Sequence, residues 1–222
     1  MPNKNKIVEL LDELSPEAQL IGAVNTVLND NGKLIGYNTD GYGFMQSVRD
    51  AGHDITGKNI TVMGVGGASM AICAQSALDG AASVHIFARR TSRYWNRTQK
   101  FAENLSAKTG CQVCLFDNDD HTALRDSIAQ SYLLINATSV GMVPDIDDTI
   151  IKDTSLFHPE LVVADVVYEP QETRLLREAK AAGCQTFNGM YMLLHQGAKA
   201  FQIWTGQEMP VSVIKEKYFS VK

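Results

Sequence analysis

The 222-residue chain is 45% hydrophobic and 20% charged, the balance of a folded globular protein long enough for one large domain or one and a half. A net charge of −5 without long basic runs argues against a nucleic-acid partner. No apolar run reaches membrane-spanning length, the first residues lack the basic-then-apolar pattern of a signal peptide, and four cysteines are few, so a cytoplasmic location without membrane association is expected.

In chain order, Ile7, Leu10, Leu11 and Leu14 recur at helical spacing and predict a helix over 4–14. Ser15 before Pro16 and Glu17 reads as a cap with proline at the first helical position. Residues 24–28 and 34–37 read as strands, and NDNG at 29–32 as the turn joining them into a hairpin, because these residues tolerate positive φ. Thr39 or Asp40 can cap a helix that runs to Asp50 and stops at Ala51 and Gly52. A boundary between two lobes is expected within 40–57. A helix and a lone hairpin cannot bury a core of their own, so the front part needs further packing partners.

From Lys58 the pattern changes. Ile60, Val62 and Met63 read as a buried strand, Gly64, Gly66 and Gly67 as a sharp turn, and the small residues from Ala68 to Leu78 as a helix. A helix opening straight from a glycine turn points free N–H groups and a positive dipole end at an anion, which suits the pyrophosphate of a dinucleotide. The next strand, 83–88, falls where a βαβ unit requires it. Strands follow at 112–116, 132–136, 161–167 and 185–187, with helices at 92–108, 121–129 and 172–182 between most of them. Alternation of near-continuous apolar strands with helices predicts a parallel, doubly wound α/β sheet. A long apolar helix over 190–205 and a short amphipathic one after Met209 and Pro210 are expected to pack back across the junction between lobes.

Two local patterns carry no chemistry. Cys111 and Cys114 match CxxC, but residues three apart in a strand point to opposite faces and no second pair completes a zinc site. The run from Asp117 to Asp120 lacks the glycine and distal glutamate of a calcium loop and reads as a turn and helix start. Histidines 53, 85, 121, 158 and 195 form no ligand spacing, so no metal is assigned.

Seven motifs stand in order: MPNK at 1–4, GAVNT at 22–26, GYNTDG at 36–41, GVGGAS at 64–69, NATSVGM at 136–142, DVVYEP at 165–170 and QGA at 196–198. Together they resemble the shikimate dehydrogenase family, most of all its quinate/shikimate branch. The resemblance implies a Rossmann-type dinucleotide-binding domain at 41–188, the C-terminal part of an α/β substrate lobe at 1–40, and C-terminal helices at 189–222. It also implies that Met1 is an internal methionine of a longer chain, whose front part would supply further strands and a serine pair for the substrate carboxylate.

The same resemblance implies reversible hydride transfer between a nicotinamide cofactor and the ring alcohol of shikimate, in aromatic amino acid biosynthesis, with quinate as a second candidate substrate. Lys4 matches the family proton donor and Asp40 its carboxylate partner; read from composition alone, Lys4 is a surface lysine. Asn25, Tyr168 and Gln196 match substrate-side positions. Gly64, Val65, Gly66, Gly67, Ala68 and Ser69 match the cofactor turn, and Thr138, Met142, Val166 and Tyr191 the cofactor site beyond it. A homodimer is a candidate assembly.

Three departures stand out: Ala88 where the family commonly has asparagine, Thr91 where the quinate branch has an acid, and Tyr191 where the family has a glycine near the nicotinamide. No acidic residue follows the second strand to bind ribose hydroxyls; Arg89, Arg90 and Thr91 stand there, which suits a 2′-phosphate and predicts NADP, with NAD the second candidate. Two other readings stay open at this point, a truncated nucleotide-binding module without dehydrogenase activity and a structural domain without ligand.

Overall fold

In the computed structural model, which describes residues 3–219, the strands form two sheets. The smaller has three strands in the order β1-β3-β2. It is built from β1 (Glu13–Leu14), helix α1 (Pro16–Ile21), β2 (Thr26–Asp30) and β3 (Lys33–Tyr37). Ser15 caps α1, its side chain accepting from Ala18 N, and Gly22 ends the helix in the left-handed region. Asn31 and Gly32 turn the hairpin with φ of 52° and 99°, the two positive values a two-residue turn of this hand needs.

The helix expected over 4–14 does not form. A 3-10 turn at Lys6–Leu10 ends at Leu11, which is extended, and β1 follows. The backbone groups go to β3 instead: Asp12 N donates to Leu34 O (2.9 Å) and Ser15 N to Gly36 O (2.8 Å). The reason is Gly36. A Cβ there would lie 2.5 Å from Leu11 Cδ1, 2.7 Å from Val24 Cγ2 and 2.9 Å from Leu14 Cδ2, so these apolar side chains cover its bare backbone. With β1 parallel to β3, the hairpin is not alone. It is also held from the C-terminal side, where Trp204 Nε1 donates to Val27 O (2.9 Å).

Helix α2 (Asp40–Asp50) leads into the larger sheet. Its elements are β4 (Asn59–Met63), α3 (Gly67–Leu78), β5 (Ser83–Ala88), α4 (Trp95–Thr109), β6 (Gln112–Asp117), α5 (His121–Gln130), β7 (Leu133–Asn136), β8 (Val162–Asp165), α6 (Arg174–Ala181), β9 (Gln185–Phe187), α7 (Met190–Thr205) and α8 (Val211–Tyr218). Six strands run in the order β6-β5-β4-β7-β8-β9, all parallel. On one face Ile60, Val62, Ile86 and Ile135 pack with Ile72 of α3 and Phe44 of α2. On the other, Met63, Phe87, Leu134 and Val163 pack with Ile128 of α5 and Leu176 of α6. Strands buried on both faces read as continuous apolar runs, which is why they were legible.

The chain moves outward from β4 in both directions, so the carboxyl ends of β4 and β7 flank a switch point, the usual place for a ligand in an open α/β sheet. Helix α2 is pressed close to this point by two glycines. A Cβ on Gly41 would lie 2.4 Å from Ala71 O of α3, and one on Gly43 would lie 2.7 Å from Gln196 N of α7. Among the described residues no helix is long and apolar enough to cross a membrane.

Candidate active site

Beyond Met63 the chain turns at Gly64, with φ of +112°; a Cβ there would lie 2.8 Å from Thr138 Cγ2, so only glycine fits. Gly66 and Gly67 differ, because a Cβ on either would meet nothing within 4 Å. Their bareness leaves room beside the backbone for a ligand. Gly66 caps α3 without a side-chain acceptor, and Ser69 Oγ is turned back to Gly64 O, so the first N–H groups of the helix face the cleft.

Gly66 and Gly67 form the ridge between two clefts. One, about 250 Å³, is lined by Lys4, Asn5, Ala23, Val65, Tyr94 and Arg97 among others. The second, about 660 Å³, is lined by Ala68, Thr138, Met142, Val166 and Tyr168 among others. Both clefts open beside the free N–H groups of the turn, so an anion held there, such as the pyrophosphate of a dinucleotide, borders both.

Behind the first cleft, Lys4 of its lining meets two residues distant in sequence, Asp40 and Asn25. Asp40 opens α2 but does not cap it: its Oδ2 accepts from Lys4 Nζ and its Oδ1 from Asn25 Nδ2 (2.9 Å). Asn38 Oδ1 takes the Asp40 N–H in place of a cap (3.1 Å). Asn25 is fixed in turn, its Oδ1 accepting from Thr39 N (3.0 Å) and Thr26 Oγ1 (2.9 Å). Lys4 is anchored by its own carbonyl, which accepts from Val24 N (2.8 Å). The Asp40 side chain is 5% exposed and that of Lys4 22%, so the ammonium is the part of the pair that reaches the cleft. Met1 and Pro2 of the MPNK motif lie outside the described residues.

The walls of the second cleft are tied by side-chain hydrogen bonds. Asn136 Oδ1 accepts from Thr138 N (3.1 Å) and Thr138 Oγ1 (2.6 Å), holding the loop that carries Met142. Asp165, fully buried, accepts from Asn136 Nδ2 (3.0 Å), Val167 N (2.9 Å) and Thr173 Oγ1 (2.8 Å). Burial pushes its carboxyl up to about 6 against those three bonds. Met142 and Tyr168 are 46% and 41% exposed, an unusual share for apolar side chains facing one hollow.

Other predicted residues fall elsewhere. Arg89, Arg90 and Thr91 are exposed beyond β5, next to the glycine turn, since Gly64 N donates to Phe87 O (2.8 Å). The Arg90 guanidinium lies 4.6 Å above the buried Trp95 ring. Gln196 lines neither cleft; it packs on Gly43, one turn along α2 from Asp40. Nor does Tyr191, whose ring faces α8 with Lys215 Nζ 4.0 Å from its centre and Phe219 at 6.4 Å. The close backbone approach is made by Gly189, where a Cβ would lie 2.1 Å from Val166 O.

Arg97 was not foreseen. With the Asn5 amide turned so that its oxygen accepts, Asn5 takes both Arg97 Nη1 (2.6 Å) and Nη2 (2.7 Å), tying α4 to the segment that carries Lys4. In sequence it is one arginine on a polar helix face, without a signal of its own. Among the described residues no group of three His, Cys, Asp or Glu side chains could hold a metal ion.

The model of the shikimate dehydrogenase substrate binding domain matches residues 1–27, and that of the shikimate 5'-dehydrogenase C-terminal domain matches 189–217. The shikimate dehydrogenase (NADP(+)) of Listeria innocua is 52% identical over 219 residues, 99% of this chain and 75% of that one. The chain belongs to the shikimate dehydrogenase family. A quinate/shikimate dehydrogenase of Escherichia coli is 43% identical, the match covering 97% of this chain and 75% of its own. Among solved members of the shikimate dehydrogenase family, the Listeria monocytogenes enzyme in complex with shikimate and NAD superposes with a TM-score of 0.94 at 52% identity, covering 97% of this chain and 74% of that one. The Thermus thermophilus enzyme, in complex with NADP(H) and shikimate, gives 0.78 at 35% identity over 97% and 75%.

Proposed function

We propose that this chain catalyses reversible NADP(H)-dependent hydride transfer between shikimate and 3-dehydroshikimate, within aromatic amino acid biosynthesis. The observation that carries the reading is the Lys4, Asp40 and Asn25 cluster, which opens on a cleft whose other wall is Gly66 and Gly67. A proton-transferring group and an anion-binding helix start thus share one space.

In oxidation the Lys4 amine takes the hydroxyl proton as hydride leaves the adjoining ring carbon, and in reduction the Lys4 ammonium returns it to the carbonyl oxygen. Asp40 fixes Lys4 through one oxygen and orients the reacting hydroxyl. Asn25 holds Asp40 through its Nδ2 and is the substrate-side amide of this reading. A bound nicotinamide would supply or accept the hydride; Met142, Val166 and Thr138 would hold that end of the cofactor with Tyr168 beside them on the same cleft, and Gln196, off both clefts, backs α2 at Gly43. The turn from Gly64 to Ser69 receives the pyrophosphate, with Val65 and Ala68 on its two flanks.

Arg89, Arg90 and Thr91 favour NADP over NAD, the guanidinium groups pairing with the 2′-phosphate. Quinate is the second candidate substrate in this reading. The residence is cytoplasmic, supported by four free cysteines. The assembly is a homodimer, for which the exposed Trp204 beside the outer strand β2 offers an apolar contact; light scattering checks it.

Mixing the purified chain with NADP and shikimate, and following the absorbance of the reduced cofactor, tests the reading. Shikimate-dependent reduction, faster with NADP than with NAD, is the expected result. Cofactor binding without turnover would instead make the chain a nucleotide-binding module.

A further inference from the structure

The two walls of the larger cleft come from different strands, yet both are tied to one carboxylate. Asp165 closes β8, and its Oδ1 accepts from Val167 N (2.9 Å), the link between Val166 and Tyr168. The same oxygen accepts from Asn136 Nδ2 (3.0 Å), which closes the neighbouring strand β7. Asn136 Nδ2 also donates to Val140 O (3.1 Å), so the opposite wall, with Thr138 and Met142, hangs on Asn136. Asp165 Oδ2 accepts from Thr173 Oγ1 (2.8 Å) at the start of α6. Thr173 in turn stands beside the Met142 loop, its Cβ 3.4 Å from where a Cβ on Gly141 would be.

We propose that Asp165, acting through Asn136 and Thr173, is the positioning residue that sets the spacing of the two walls between which the nicotinamide end of the cofactor is held. The inference rests on the functional reading above; Asp165 itself touches neither cofactor nor substrate. Stability alone is a poor reason for a carboxylate at this point, because burial disfavours its ionised form and pushes its carboxyl up to about 6. What the ionised group provides is acceptance from three donors on three separate segments, and a displacement of about 1 Å in such a wall is felt strongly in a hydride-transfer geometry.

The test compares two ligands on the full chain by titration calorimetry. NADPH carries the nicotinamide end; 2′,5′-ADP carries only the adenosine end. Thr173→Val and Asp165→Ala should each weaken NADPH about tenfold, the scale of a lost hydrogen bond in a buried network, and leave 2′,5′-ADP within about twofold. Asp165→Asn should stay near wild type, because its amide oxygen still accepts from Asn136 and Val167 and its NH₂ can donate to Thr173 Oγ1. Thr173→Val decides the matter if Asp165→Ala does not fold. Unchanged NADPH affinity in Thr173→Val, parallel weakening of both ligands, or an Asp165→Asn variant as weak as Asp165→Ala would overturn the proposal. No shikimate is present in this titration, so a wild-type chain that binds NADPH but does not turn shikimate over overturns the functional reading and leaves this one standing.

Discussion

The Lys4 ammonium lies on the Asp40 carboxylate across 36 residues of sequence, and the packing of glycines puts Asp40 there. Gly41 and Gly43, the next residue and the one a turn beyond, let α2 approach the backbones of α3 and α7. The acid is thus placed by its neighbours' lack of side chains, and Lys4 meets it because its segment is pinned to Val24.

The glycines of α2 and those of the nucleotide turn should respond differently to alanine. Gly41→Ala forces a Cβ to 2.4 Å from Ala71 O and should destabilise the fold by roughly 1–3 kcal/mol, the range for overpacking, with loss of activity. Gly66→Ala enters open space at φ of −79° and should change stability by less than about 0.5 kcal/mol. Its effect should fall on NADP affinity, about tenfold or more, because the new methyl group occupies the ligand's side of the turn. Thermal melts beside NADP titrations separate the two outcomes.

Much of the larger sheet was legible because its strands are buried on both faces, so their apolar runs do not depend on knowing the partner. The predicted 83–88 strand and 190–205 helix agree with Ser83–Ala88 and Met190–Thr205. The failure at 4–14 has a physical cause: Leu11 and Leu14 are spaced for a helix, yet their real target is the bare backbone of Gly36, a contact no local period encodes. The same holds in the site. Lys4, Asn25 and Asp40 were chosen only through resemblance. Asp165 was quoted within a motif without a role, because its meaning lies in hydrogen bonds to Asn136 and Thr173, residues of other elements.

Cofactor choice should follow the basic turn after β5. Replacing either Arg89 or Arg90 by alanine removes a charge-assisted contact to a 2′-phosphate, on the scale of roughly 1.5–3 kcal/mol, and should raise KM for NADP by about ten- to a hundredfold. KM for NAD should change by less than about twofold. Equal changes with both cofactors would show that the arginines serve adenine or the fold and not the phosphate.

Asp165 also makes a prediction about pH. Its carboxyl is pushed up from 3.8 to about 6 by burial, so the folded state binds this proton more tightly than the unfolded state. Its stabilising contribution is therefore fully present below about pH 4 and is lost as pH rises through about 6, by about 3 kcal/mol in all. Urea unfolding from pH 4 to pH 7 should show wild type losing stability relative to Asp165→Asn by up to that amount. A difference between the two proteins that stays flat over this interval would contradict the assignment.

Lys4→Ala tests the central claim most directly. Steady-state oxidation of shikimate with NADP should lose roughly 10²- to 10⁴-fold in kcat, the usual effect of removing a general acid or base, while NADP affinity stays within about twofold of wild type. Lys6→Ala, in the same segment, should turn over like wild type. If Lys4→Ala matches Lys6→Ala, with kcat near wild type across pH, then the cluster on Asp40 is structural and Lys4 is not the residue that moves the proton.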